Sequence, residues 1–126
     1  MNFPEELRYS TEHEWVRVEG TRAIVGITDY AQDALGDVVY VQLPDAGLKV
    51  IANASIAEIE STKSVSEVYA PVTGTVVEVN GSLDDAPEQL NTDPYGAGWI
   101  FVVELVEPAE VDALMDAAAY QAFLEE

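Results

Sequence analysis

The apolar runs of this chain are short, and glycine, proline, asparagine or aspartate soon interrupts each of them. That rhythm suits strands of roughly 4–8 residues and leaves little room for long helices. Trp15 to Val18 and Ala23 to Ile27 flank Glu19, Gly20 and Thr21 and read as a first hairpin. Val38 to Leu43 is β-branched and aromatic, and Pro44 to Gly47 closes it as a turn. Ser55 to Glu60 and Ser66 to Ala70 are strand candidates around Ser61, Thr62, Lys63 and Ser64. Pro71 to Gly74 then turns the chain into Thr75 to Val79. After an irregular stretch from Asn80 to Gly98, Trp99 to Val106 alternates as a strand with Trp99, Phe101, Val103 and Leu105 on one face.

Helical signals are few. Thr28 is placed to cap a short helix over Asp29 to Leu35, with Gly36 just past its end. Pro108 suits the first turn of one closing helix, along which Val111, Leu114, Met115, Ala118 and Ala122 form a stripe. The sum is an α+β chain, mainly β, with a sandwich of small sheets at its centre and one domain over residues 1–126. Hydrophobic residues make up 48% and charged residues 23%, the balance of a folded globular protein.

Charge narrows the range of functions. Twenty-four acids against five bases give a formal net charge of −19, spread along the chain. Such a surface repels phosphate backbones, so no nucleic-acid partner is expected; it either steers the protein towards basic faces of other proteins or only keeps the protein soluble. With no cysteine, disulfides, thiolate metal sites and cysteine nucleophiles are excluded. No apolar run approaches membrane-spanning length and the N-terminus lacks a signal-peptide pattern, so a cytoplasmic protein is expected.

Catalytic constellations are missing. His13 is the only histidine, which rules out a multi-histidine metal site, and it reads as structural. No phosphate-binding glycine loop or nucleophile elbow occurs. Carboxylate pairs abound in so acidic a chain and therefore point nowhere in particular. Neither a catalytic residue nor a metal ligand is assigned. Lysine is informative because it is scarce: Lys49 and Lys63 are the only two. Lys63 stands between strand-like segments among small polar residues, at the tip of a hairpin that could serve as an attachment point. A plain solvated lysine at a turn is the alternative.

The neighbours of Lys63 decide between these. Glu60 to Gly74, reading ESTKSVSEVYAPVTG, resembles the lipoylation site of the glycine cleavage system H-protein family. Glu12 to Val16, Val25 to Gln32, Leu35 to Val39, Val79 with Asn80, Asn91, and Asp93 to Trp99 are similar to that family in the same order. Asn53 and Ala57 depart from it, standing where the family commonly has glycine. Asparagine tolerates the left-handed backbone, and Ala57 needs room for one methyl group.

The resemblance implies a barrel-sandwich hybrid (lipoyl-type) domain, and lipoic acid in amide linkage to Lys63. It also implies a non-catalytic carrier, and a monomer is expected. The carrier takes an aminomethyl group from a pyridoxal-phosphate glycine decarboxylase to an aminomethyltransferase and is reoxidised by dihydrolipoamide dehydrogenase. A lipoate ligase or lipoyltransferase would modify Lys63, with Glu60, Ser61 and Glu67 flanking it for recognition. The loaded arm would rest in a cleft involving Glu12, Glu14, Ile27 and Glu67, where a carboxylate suits a cationic amine. Trp15 and Trp99 read as core, and Gly26, Gly36 and Gly74 as core or turn positions. Three other carriers fit the lysine hairpin less well or equally well. An acyl-carrying lipoyl domain of a 2-oxo acid dehydrogenase is usually shorter, and a biotin carrier usually flanks its lysine with methionines. A lipoyl relay to other complexes would use the same hairpin.

Overall fold

The computed structural model describes residues 1–126. Nine strands form two antiparallel sheets. In chain order they are β1 (Arg8–Tyr9), β2 (Glu14–Glu19), β3 (Arg22–Ile27), β4 (Val38–Gln42), β5 (Lys49–Val50), β6 (Ser55–Ser61), β7 (Val65–Tyr69), β8 (Gly74–Val79) and β9 (Phe101–Leu105). The larger sheet has the order β1-β2-β3-β9-β8-β5, and the smaller has β4-β6-β7. Four helices accompany them: α1 (Asp29–Leu35), α2 (Gln89–Thr92), α3 (Ala109–Asp112) and α4 (Ala117–Leu124). None is long and apolar enough to cross a membrane. The mainly β, α+β architecture read from the sequence is the one observed.

Local chemistry sets several boundaries. Thr28 Oγ1 accepts from the Ala31 amide at 3.2 Å, which starts α1. Gly36 ends α1 with φ of +79°, a conformation that costs a residue with a Cβ. Asn53 also adopts a left-handed φ, +76°, and so fills the turn that the sequence reading expected it to tolerate. Ala57 is buried without difficulty.

The core lies between the sheets. Val16, Val25 and Ile27 from the larger sheet meet Val41, Ile59 and Val68 from the smaller. A second cluster gathers Leu7, Tyr9, Trp15, Ala117 and Tyr120, and the Tyr9 and Tyr120 rings stack at 4.8 Å. Gly26 makes this cluster possible. A Cβ there would come within 2.6 Å of the Trp15 indole nitrogen.

Two readings of the C-terminal half need correction. Ile100 to Val103 are buried consecutively, so packing covers both faces of the chain here and one-face alternation gives way. The single closing helix is instead two short ones. Met115 breaks it by pairing with Tyr9 as a β-bridge, and Asp116 caps α4 through the Ala119 amide at 2.8 Å. The buried face of α4 is Ala117 and Tyr120, while Ala118 and Ala122 are exposed.

Candidate functional site

The β6–β7 hairpin holds its tip still with short-range bonds. The Ser61 amide donates to the Ser64 carbonyl at 2.8 Å. Ser61 Oγ donates to that carbonyl as well, and accepts from the amides of Lys63 and Ser64 at 3.3 and 3.1 Å. The Thr62 amide reaches the Asp37 carbonyl at 3.0 Å, pinning the tip to the corner between α1 and β4. Lys63 is exposed there, and neither of the molecule's two ion pairs involves it. Its stem leans on Gly36, where a Cβ would sit 3.5 Å from Lys63 Cε. Glu60 faces away on the outer side of the small sheet, opposite Tyr40 and Val65.

Beside the tip opens a cleft of about 250 Å³. Tyr30, Ala31, Ala34 and Leu35 of α1 line one side and Ser64 to Val68 another. Ile27 and Ile59 approach from the core, and Glu12, His13 and Glu14 complete the lining. The fold therefore gathers Glu12, Glu14, Ile27 and Glu67 at one cleft next to Lys63. Glu67 is held by two donors, Ser55 Oγ at 3.1 Å and Tyr69 Oη at 2.9 Å.

Glu14 is the unusual member. It is 1% exposed, so its carboxyl lies out of bulk solvent. One carboxylate oxygen accepts from Ser10 Oγ at 2.6 Å, the other from the Tyr69 amide at 3.1 Å. Burial raises its pKa from 4.5 to about 7, against the lowering effect of these two bonds. At neutral pH the carboxyl is poised between its two forms, and a cation arriving in the cleft would favour the ionised one.

His13 takes a left-handed φ of +70°. Its Nδ1 lies 2.8 Å from Tyr120 Oη, which lies 2.8 Å from Thr28 Oγ1. Burial lowers the imidazole pKa, so the ring is neutral at pH 7. The sequence reading of His13 as structural holds for this network but missed the ring's place in the cleft lining. The α1 wall was also missed as a site element, although the helix itself was legible from Thr28 and Gly36. No cluster of three histidine, cysteine, aspartate or glutamate side chains could hold a metal ion.

Comparison with known proteins matches this geometry to a family. The glycine cleavage H-protein family model matches residues 7–126. The chain is 56% identical over 126 residues to a glycine cleavage system H protein of Anaeromyxobacter sp. (strain K), covering 100% of this chain and 98% of that one. It is 61% identical over 123 residues to the H protein of Nocardia farcinica, covering 94% and 93%. A crystal structure of the glycine cleavage system H protein from Mycobacterium marinum superposes with a TM-score of 0.90 at 41% identity, covering 98% of this chain and 100% of that one. Sequence, fold and the lysine hairpin lead to one conclusion: this chain belongs to the glycine cleavage H-protein family.

Proposed function

We propose that the whole chain, residues 1–126, acts in the cytoplasm as one carrier domain bearing lipoic acid in amide linkage to Lys63. The observation that carries the reading is an exposed, unpaired Lys63 on a hydrogen-bonded hairpin tip beside a cleft. When bound at Lys63, the lipoyl group would supply disulfide–dithiol chemistry and a thiol able to carry an aminomethyl group. The chain itself supplies position. Ser61 fixes the turn, and Glu60 and Glu67 flank it for recognition by a lipoate ligase or lipoyltransferase. Ile27 gives the cleft an apolar surface, and Glu12, Glu14 and Glu67 offer carboxylates to a cationic amine.

The partners of this reading are a pyridoxal-phosphate glycine decarboxylase, an aminomethyltransferase and dihydrolipoamide dehydrogenase. Tethering raises the local concentration of the reactive group at each docked enzyme, and the protein needs no catalytic residue of its own. The test is intact mass and peptide mapping after coexpression with a lipoate ligase and lipoate, in wild type and Lys63→Arg. One lipoyl adduct on Lys63, absent from a folded Lys63→Arg variant, supports the reading. Carrier activity retained by that variant sinks it.

A further inference from the structure

The register of the small sheet leaves one wall of the cleft with unspent backbone groups. Ser61 pairs with Ser64 through the Ser61 amide and Ser64 carbonyl, which makes it a hydrogen-bonded pair. Along an antiparallel ladder such pairs alternate with non-bonded ones. Ile59 with Ser66 and Ala57 with Val68 are therefore bonded pairs, whereas Glu60 with Val65 and Glu58 with Glu67 are not. The amides and carbonyls of Val65 and Glu67 point away from β6, and β7 has no neighbour on that side.

That open side borders the cleft. Tyr69 is in step with Val65 and Glu67, and its amide donates to the carboxylate of Glu14, itself a cleft residue. The strand edge thus already captures one acceptor. We propose that the Val65 and Glu67 backbone forms a binding edge for a secondary amide, and that its occupant is the amide joining lipoate to Lys63. This rests on the lipoyl-Lys63 reading.

Reach and chemistry support that occupant. A lysine stem spans roughly 6 Å, about the rise of two strand residues, which matches the step from Lys63 to Val65. An amide settling between apolar walls needs both a donor and an acceptor. The carboxylates around it only accept when ionised, while a strand edge offers N–H and C=O side by side. Pairing there would direct the remainder of the arm along β7 towards Glu67 and Glu14.

The experiment uses full-length protein lipoylated at Lys63 and then reduced. Formaldehyde and ammonium load it, the thiol sulfur bonding to carbon to form an aminomethyl thioether with loss of water. Intact mass verifies both states. Amide hydrogen exchange by NMR is compared between loaded protein and protein unmodified at Lys63, which lacks that amide, with Ser66 and Val68 as references already in the ladder. Exchange at Val65 or Glu67 should slow about tenfold on loading, the worth of one ordinary hydrogen bond.

A second arm compares Val65→Pro with Val65→Ala. Proline removes only an outward-facing donor at a sheet edge, so the ladder survives, and circular dichroism verifies the fold. The half-life of the loaded group, followed by mass, should be about three- to tenfold shorter in Val65→Pro. Unchanged exchange in mass-verified loaded protein, or equal half-lives in the two folded variants, overturns the edge-binding inference alone. An unmodified Lys63 in the presence of an active ligase overturns the lipoyl reading and this inference with it.

Discussion

Replacing Glu14 by glutamine isolates the cost of burying its charge. The carboxyl titrates near 4.5 in an unfolded chain and near 7 in the fold. A raised carboxyl pKa means that the stability contribution is fully present below pH 4.5 and is lost as pH rises through about 7. At about 1.36 kcal/mol per pKa unit, ionised Glu14 costs the fold about 3 kcal/mol at pH 8 and under about 1 kcal/mol at pH 5. Glutamine keeps the shape but forfeits part of the Ser10 and Tyr69 bonding, a loss of about 1 kcal/mol that does not change with pH. The pH-dependent difference is therefore the informative quantity. Urea unfolding of wild type and Glu14→Gln at pH 5, 6, 7 and 8 should show the variant gaining on wild type by about 2.5 kcal/mol across the range. The remaining acids titrate in both proteins and largely cancel. Parallel stability curves would refute the assignment of a buried, readily protonated carboxyl at this position.

Other consequences are open to separate measurement. Gly26→Ala places a methyl group within 2.6 Å of the Trp15 ring and should cost about 1–3 kcal/mol in urea unfolding, with a shifted tryptophan emission. Because Thr28 Oγ1 has Tyr120 Oη as its one acceptor, the proton order runs from Thr28 to Tyr120 to His13 Nδ1. Nitrogen-15 NMR of this single-histidine protein should then show the neutral Nε2–H tautomer at pH 7, and a predominant Nδ1–H tautomer would contradict it. The association rate with the decarboxylase should fall as salt is added if the −19 surface steers docking, and a flat response would reduce that charge to a solubility feature.

What the sequence revealed was local, and what it hid was long-range. Thr28 announces α1 because a cap, an acidic first turn and a terminal glycine all lie within nine residues of one another. Asn53 was legible for a similar reason, its left-handed turn being a property of the residue. Tyr9 and Met115 could not reveal the break between α3 and α4, since the bridge joins positions at opposite ends of the chain. The two-residue strands β1 and β5 carry too little pattern to be read at all. In the site, Lys63 and its flanking residues were visible as a contiguous motif. The burial of Glu14 was not, because its bond to Tyr69 spans 55 positions and its depth depends on how the two sheets close.

The open side of β7 also bears on how copies of this protein behave in concentrated solution. An unpaired strand edge is a template on which a second chain can add. Glu12 and Glu67 stand beside it with carboxylates that another copy would have to approach, within a surface of net charge −19. Acidity here acts as a guard against edge-to-edge aggregation while leaving room for a slender side-chain arm. As pH falls towards the pI of about 4.1 and that guard is neutralised, light scattering should rise, and Glu67→Lys should shift its onset.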